Sequence, residues 1–251
     1  MKTSDRILFE LPDRILTSLP TGAVKDTVEH LGRRIARGDY KAGAILPKED
    51  ELVTALGVSR TVVREAVKVL CGKGMVRTAR RYGSRVCPFD DWNLMDPDVI
   101  RWHDHDSPQT ARIYSEATEL RFIFEPEAAA LAALNASQQQ RSRILSAAES
   151  ICPDAGESAM IAADYTFHAT ILQASGNLML AQLQRLVHAV LIFSYTARCE
   201  GVPDHLESRL AHISVADAIV AGDAELSRSR MRALLGQNKM IADKIFGASV
   251  A

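Results

Sequence analysis

The sequence predicts a mostly α-helical protein of two domains, and three observations support this. Helical periodicity recurs along most of the 251 residues. Two short β-like segments occur together near residues 75–86 and nowhere else. The charge is also divided, since residues 1–86 hold 17 Lys and Arg against 10 Asp and Glu (net +7) and residues 87–251 hold 13 against 21 (net −8). A basic front and an acidic back indicate two domains with different partners, the first partner being a polyanion.

The composition excludes several classes of protein. A hydrophobic content of 47% is enough for real cores, and no window of eighteen apolar residues predicts a membrane span. Charged residues interrupt the first twenty positions, which a signal peptide does not tolerate. The four cysteines have no CxxC spacing, so they predict neither a disulfide framework nor a zinc ribbon: Cys71, Cys87, Cys152 and Cys199. We therefore expect a soluble, cytoplasmic protein that does not bind membranes.

The first domain is predicted to span residues 22–87, after an N-terminal arm at residues 1–21 that Pro12 and Pro20 keep from forming a helix. An amphipathic helix follows Gly22 and ends at Gly38. A turn-rich connection then leads through Pro47 to a second short helix, Lys48 to Leu56.

The third helix, from Gly57 to Cys71, is the segment around which the first domain is organised. Ser59 is predicted to cap its free amide groups. Its two faces differ: one carries apolar residues at helical spacing, Val63, Ala66, Val67 and Leu70, and the other carries Arg60, Thr61, Arg64 and Lys68. A basic face of this kind suits a phosphate-lined groove, although a solvated cationic surface has the same pattern.

Two short strands, Met75–Thr78 and Ser84–Val86, are predicted to form a hairpin after the third helix. Its tip holds four residues that are basic, aromatic or glycine: Arg80, Arg81, Tyr82 and Gly83. Three helices followed by a small basic β-hairpin make an N-terminal winged helix-turn-helix.

Residues at fixed spacings across this domain resemble the DNA-binding domain of the GntR family of bacterial transcription regulators. They are Gly38-x-Tyr40-x-x-Gly43-x-x-Leu46-Pro47-x-Glu49-x-Glu51-Leu52, Leu56-Gly57-Val58-Ser59-Arg60-x-x-Val63-Arg64-Glu65-Ala66, and Leu70-x-x-x-Gly74 with Gly83. The resemblance implies binding to double-stranded operator DNA. The implied contact residues lie on the third helix and the hairpin: Ser59, Arg60, Thr61, Arg64, Lys68, Arg80, Arg81 and Gly83.

Asp50 departs from the family pattern, because some relatives carry an arginine at this position. A carboxylate near phosphate is repelled. Asp50 is therefore either turned away from the DNA or alters which operator is recognised.

The second domain is predicted to be an all-α antiparallel helical bundle at residues 97–251, after a linker at residues 88–96. Asp96 is predicted to cap a helix that has Pro97 in its first position. Trp92 and Trp102 are expected to pack the two domains together. The remaining helices are predicted at 109–134 with a break or kink at Pro126, 137–151, 157–174, 177–199, 205–221 and 224–246.

Asp164 and His168 stand four residues apart and can point to the same place inside the bundle. A mixed oxygen and nitrogen pair suits zinc, nickel or manganese, but the same spacing also occurs in pairs that only stabilise a helix. His212, on a later apolar helix, is either a third ligand or a satisfied core residue.

The second domain resembles the FadR-type effector domain, or FCD domain, of GntR regulators. The motifs are sparser here: Arg121 with Glu125, Asp164-x-x-x-His168, Asn177, His212, Ala218-Ile219 and Gly222-Asp223-Ala224. The resemblance implies homodimerisation, a metal site at Asp164, His168 and His212, and an effector site at Arg121, Asp164, His168 and His212. Arg121 either pairs with Glu125 or binds a ligand carboxylate.

The four-ligand site of metal-bearing relatives is incomplete, because Leu234 takes the position of the usual fourth histidine. Either three ligands hold the metal and an effector or water completes its shell, or no metal binds and the cluster holds the effector directly. The linker and the pocket resemble the branch that regulates sugar-acid operons such as the galactonate operon.

We therefore expect a transcriptional repressor of a metabolic operon that binds a palindromic operator as a homodimer and responds to a small carboxylate, a sugar acid. Two alternatives remain at this stage. One is a metal-dependent enzyme using Asp164, His168 and His212 to activate water. The other is a metal-free regulator that responds to acyl-CoA.

Overall fold

The computed structural model describes residues 19–79, 83–104, 107–152, 156–196 and 205–246. Within these ranges the chain divides into two compact units, one ending at Thr110 and the other beginning at Ala111. We call them the head and the bundle. The predicted hairpin-tip residues Arg80 and Arg81, and the predicted arm up to residue 18, lie outside the described residues.

Three helices form the centre of the head: α1 (Ala23–Ala36), α2 (Glu49–Leu56) and α3 (Arg60–Gly72). Each turns an apolar stripe towards one shared core, as the periodicity predicted. The core residues of these helices include Val28, Leu31, Ile35, Leu52, Val63, Ala66 and Leu70.

The turn between α2 and α3 is formed by the residues that the sequence indicated. Gly57 ends α2 with a φ of 65°, a left-handed conformation that glycine adopts without a steric penalty. Ser59 caps α3, because its Oγ accepts the backbone N–H of Val62 at 3.3 Å. The predicted helix-turn-helix is therefore present.

The wing is an antiparallel pair of strands, β1 (Val76–Ala79) and β2 (Gly83–Val86), with Val76 opposite Val86. Ile45 forms an isolated bridge to Arg85, which ties the connection before α2 to the second strand. The predicted hairpin is confirmed to within one residue at each strand end.

The chain after the wing continues along the head through a short 3-10 turn, Phe89–Asp91, and α4 (Pro97–Arg101). Asp96 caps α4 by accepting the N–H of Asp98 at 2.9 Å, and Pro97 occupies the first turn, as predicted.

A buried network of charges ties α4 to the end of α3. The Nζ of Lys73 lies 2.7 Å from Asp96 Oδ2 and 2.9 Å from Asp98 Oδ2. Asp98 is fully buried and also accepts from Arg101 at 2.9 Å, and Arg101 donates to Glu29 of α1 at 2.7 Å. Removing one partner of a buried pair typically costs about 3–5 kcal/mol, so α4 is an integral part of the head.

Of the two tryptophans that we expected to pack the domains together, Trp102 belongs to the core of the head and Trp92, which is partly buried, packs against that core. Trp102 is fully buried and lies directly over Gly32 of α1. The indole N–H of Trp92 donates to the carbonyl of Cys87 at 3.1 Å.

Replacing Gly32 with alanine is expected to destabilise the head by about 1–3 kcal/mol through overpacking. A Cβ at this position would lie 2.6 Å from Cε3 of Trp102, so the indole would have to move. Gly72→Ala is the matched control, because a Cβ at that helical position meets nothing within 4 Å. Chemical denaturation should show the first variant less stable than the parent and the second equal or slightly more stable; equal loss in both would contradict the packing argument.

The bundle consists of seven helices within the described residues. They are α5 (Thr110–Asn135), α6 (Gln138–Ser150), α7 (Glu157–Ala174), α8 (Leu178–Gln182), α9 (Gln184–Thr196), α10 (His205–Ala221) and α11 (Ala224–Phe246). α7 packs against α6 and α9, and α10 packs against α6 and α11. Pro126 lies inside α5, and the helix continues on both sides of it. No helix in the described part of the chain is long and apolar enough to cross a bilayer.

The prediction of a single helix at residues 177–199 is wrong in one respect. The chain forms two helices there, separated at Leu183, which ends α8 before α9 begins at Gln184. Neither glycine nor proline marks this interruption, so local sequence offers no breaker to detect. The predicted fold class, a winged helix-turn-helix with a small hairpin and an all-helical second domain, is confirmed.

Candidate functional site

The basic face of α3 is exposed along its whole length. The side chains of Arg60, Thr61, Arg64 and Lys68 are all exposed, while the opposite face is buried in the core of the head. The predicted contact residues of α3 therefore lie on one accessible surface, with the capping residue Ser59 at its N-terminal end. Such a face can enter a major groove and meet both phosphates and base edges.

Each arginine of this face is paired with a carboxylate from the first turn of α2. Arg60 Nη2 lies 2.8 Å from Asp50 Oδ1, and Arg64 Nε lies 2.9 Å from Glu49 Oε2. The Nζ of Lys68 lies 2.8 Å from Oε1 of Glu65 on α3 itself. We expected Asp50 either to turn away from the DNA or to alter which operator is recognised. In the structure it contacts Arg60, a predicted DNA-binding residue.

Gly83 opens the second strand of the wing with a φ of 77°, in the left-handed region. A Cβ there would lie 3.3 Å from Cγ2 of Ile45, so a larger residue would be strained as well as crowded. The other two predicted wing contacts, Arg80 and Arg81, lie outside the described residues.

A cluster of five polar side chains is buried inside the bundle. Arg121 and Glu125 come from α5, Asp164 and His168 from α7, and His212 from α10, and each is less than a tenth exposed. The i,i+4 spacing on α5 and on α7 directs both members of each pair to the same side of their helix. The structure therefore brings together all four residues of the predicted effector site and adds Glu125.

Asp164 lies at the centre of the predicted metal ligands. Its Oδ1 is 3.2 Å from His168 Nε2 and 3.4 Å from His212 Nε2. The ligand atoms of these three residues all lie within 4.8 Å of one another. Two ligands of a tetrahedral zinc, bound at about 2.0–2.1 Å, would be about 3.3–3.4 Å apart, so the observed separations fit a small divalent ion.

The Nδ1 atoms of His168 and His212 face other protein groups, so the Nε2 atoms of both rings are directed towards Asp164. The Nδ1 of His212 lies 2.7 Å from the carbonyl oxygen of Ser208, which can only accept, so Nδ1 carries the hydrogen. The Nδ1 of His168 lies 2.5 Å from Glu125 Oε2. A carboxylate or carbonyl behind a histidine is the arrangement that orients metal-binding imidazoles.

The two carboxylates of the cluster are held ionised. Burial raises the pKa of Glu125, but Arg121 and then His168 outweigh it and bring the pKa to about 2. Burial also raises the pKa of Asp164, but the neighbouring His168 and His212 outweigh it and hold the pKa far below its usual range. Burial lowers the pKa of His168, yet Glu125 and Asp164 raise it overall.

The sequence left two partners open for Arg121, namely Glu125 and a ligand carboxylate. In the structure Arg121 pairs with Glu125. Its Nε lies 2.5 Å from Glu125 Oε1, and its Nη2 lies 3.2 Å from His168 Nε2. The cluster thus holds one guanidinium and two carboxylates, and its net charge is −1 when both imidazoles are neutral.

Glu125 is the residue whose role sequence reasoning missed. Its spacing from Arg121 identified the ion pair, but nothing in the sequence indicated its contact with His168, which depends on how α5 packs against α7. Leu234, at the position where the resemblance implies a fourth histidine, is buried. Its side chain offers no ligand atom.

Two family descriptions match the chain in succession. Residues 23–86 match "Bacterial regulatory proteins, gntR family", which covers α1 to β2. Residues 116–237 match "FCD domain", which contains all five residues of the buried cluster.

Curated relatives cover most of the chain. The HTH-type transcriptional regulator YieP of Escherichia coli K12 is 31% identical over 210 residues, 82% of this chain and 90% of the relative. The galactonate operon transcriptional repressor of the same organism is 32% identical over 203 residues, 78% of this chain and 86% of the relative. Among solved structures, Lar of Listeria monocytogenes shares the fold, with a TM-score of 0.63 at 16% identity, over 91% of this chain and 100% of that chain.

Proposed function

The chain belongs to the GntR family of bacterial transcription regulators and carries an FCD domain, and from this we propose that it represses a metabolic operon whose operator it releases when a small carboxylate binds. The family and the matched relatives are transcriptional regulators, not enzymes. The alternative of a metal-dependent hydrolytic centre at Asp164, His168 and His212 is therefore not retained.

DNA binding belongs to the exposed face of α3 in this proposal. Arg60, Thr61, Arg64 and Lys68 contact phosphates and base edges, and Gly83 lets the wing approach the minor groove. Two heads in a homodimer present two copies of α3 to the two halves of a palindromic operator, about one helical turn of DNA apart. A two-fold operator calls for a two-fold protein, which is the reason for proposing the dimer.

The observation that carries the effector proposal is the charge of the buried cluster. With both imidazoles neutral the enclosed site carries a net charge of −1, which is unfavourable because desolvation of an uncompensated ion costs several kcal/mol, and the raised pKa of His168 is one response to it. One proton on a histidine or one cation would compensate it. A divalent cation would instead leave a net charge of +1, and a monocarboxylate would then bring the site to neutrality.

Asp164, His168 and His212 would hold the metal, and zinc, nickel and manganese all accept this set of oxygen and nitrogen donors. The metal would supply a Lewis-acidic position for a carboxylate oxygen, because three protein ligands leave a fourth position open. Arg121, already held by Glu125, has further N–H donors for the same anion. Hydroxyl groups of a sugar acid would find polar partners in this cluster.

Release of DNA requires that the effector bind one arrangement of the heads better than another. The segment that leaves the wing is held to the end of α3 by Lys73, Asp96 and Asp98. A displacement of that segment would therefore reach α3 directly. We propose that this connection carries the signal from the pocket to the DNA-binding face.

The test is a ligand titration of the full-length protein, first stripped with a chelator and then supplied with zinc, nickel or manganese. Aldonates, uronates, lactate and acyl thioesters are added in turn, and thermal unfolding is followed. At a ligand concentration of 100 times Kd we expect about 2.7 kcal/mol of stabilisation, roughly 5–10 °C in Tm, from a sugar acid in the metal-loaded protein. Stabilisation by an acyl thioester alone would reject the proposal.

A further inference from the structure

The charge pattern around α3 contains a carboxylate that belongs to neither the core nor a helix cap. Asp50 lies in the first turn of α2 with its side chain exposed, and its Oδ1 meets Arg60 Nη2 at 2.8 Å. The neighbouring Glu51 is already used, because its Oε2 accepts the N–H of Lys48 at 3.0 Å in a capping box. Asp50 does not take part in this capping box.

Folding stability does not account for the pair. The side chains of Arg60 and Asp50 are 64% and 68% exposed, and ion pairs at such positions contribute little to the free energy of folding. What the pair does change is the orientation of a flexible arginine and the charge that it presents to DNA.

Arg60 is the first residue of α3, and recognition helices contact base edges mainly through their N-terminal residues. A guanidinium has five N–H donors, and the ion pair with Asp50 is formed through Nη2. The remaining donors stay available for the O6 and N7 acceptors of a guanine. A tethered arginine is also less able to turn towards the nearest phosphate.

We propose that Asp50 is a specificity-determining residue, which positions Arg60 for one base of each half-site and lowers the affinity of the head for DNA of any other sequence. The carboxylate cancels one positive charge that would otherwise attract the backbone, and it fixes the direction of the donors that remain. This inference rests on the proposed role of Arg60 in DNA binding.

The other pairs on this face serve as internal comparisons. Glu49 engages Nε of Arg64, one turn further along α3, and Glu65 engages Lys68 from the same helix. Glu49 belongs to the frame of residues that resembles the family pattern, whereas Asp50 departs from it, since some relatives carry an arginine there. Asp50 is therefore the residue expected to make the operator of this protein differ from the operators of those relatives.

The experiment compares the full-length protein with Asp50→Asn, Asp50→Glu and Arg60→Ala. Each is used to select binding sites from a randomised duplex DNA library, and affinities are then measured over a range of salt concentrations. Asp39→Asn is the matched control, since Asp39 forms a solvent-accessible pair at the same distance, 2.8 Å, with Arg34 of α1 rather than with a residue of α3.

For Asp50→Asn we expect about tenfold weaker discrimination at one position of each half-site, the value of one base contact. Affinity for unrelated duplex should rise several-fold, with a salt dependence steeper by about one unit per protomer. Asp50→Glu should recover part of the discrimination, and Asp39→Asn should behave as the parent. A purely structural role would lower affinity for all sequences alike.

Two outcomes overturn the inference in distinguishable ways. If Arg60→Ala weakens binding but Asp50→Asn keeps the base preferences and salt dependence of the parent, Asp50 has no positioning role and the proposed function stands. If Arg60→Ala binds the selected sites as the parent does, Arg60 is not a DNA contact, and the inference falls together with that part of the proposed function.

Discussion

Replacing Arg64 with alanine is expected to abolish operator binding while leaving ligand binding to the bundle unchanged. Arg64 is exposed in the middle of the basic face, and in the proposed homodimer each protomer would lose a contact worth about 1–3 kcal/mol. The loss leaves Glu49 without its cation on the surface that meets phosphate, so repulsion adds to it. We expect affinity to fall by about 100-fold or more in a gel-shift or fluorescence anisotropy titration.

Arg34→Ala is the control for this prediction. Arg34 is also exposed and paired with a carboxylate of the head, Asp39, but it lies on α1 rather than on α3. Its replacement should change operator affinity by no more than a few-fold. If Arg64→Ala had the thermal stability of the parent and still gave a normal footprint on the operator, α3 would not be the helix that binds DNA.

Replacing Asp164 with asparagine is expected to eliminate metal binding and the response to carboxylates. The change removes the central oxygen ligand and one of the two carboxylate charges of the cluster, so the site favours a cation less than in the parent. A metal ligand of this kind should be worth at least 100-fold in affinity, since outer-shell partners alone are worth about 10–100-fold. Calorimetric titration of chelator-treated protein measures the effect directly.

Asp217→Asn is the matched control for this substitution. Asp217 is an exposed carboxylate on α10, the helix that carries His212, and its replacement should leave metal affinity and thermal response as in the parent. If Asp164→Asn retained the metal-dependent rise in Tm, the three-ligand site would be the wrong location. Unchanged operator affinity in both variants would separate the pocket from the DNA-binding face.

Local features of the fold were predictable because they depend on neighbours in the sequence. Ser59 and Asp96 are capping residues at the starts of α3 and α4, and their side chains reach amide groups only two or three residues away. The apolar period of α3 likewise identified its buried face. The division at Leu183 was not predictable, because no residue there disfavours a continuous helix by itself.

The residue types of the candidate sites were predictable in the same way, and their contacts were not. Spacing placed Asp164 with His168 and Arg121 with Glu125, but the distance of 2.5 Å between Glu125 and His168 arises from the packing of two helices far apart in sequence. Trp102 offers a second example. Its position over Gly32 in the core of the head was not predictable, because the two residues are far apart in sequence.

By itself, the sequence determined the two-part, mostly helical architecture, the basic face of α3 and the identity of the residues able to bind a metal. These properties follow from periodicity, capping and side-chain chemistry, which act over a few residues. Only the tertiary structure decided how those side chains are paired: Asp50 with Arg60 on the surface, and Glu125 with His168 in the interior. The physical reason is that such pairs join separate helices, so they depend on the angle and depth at which the helices pack.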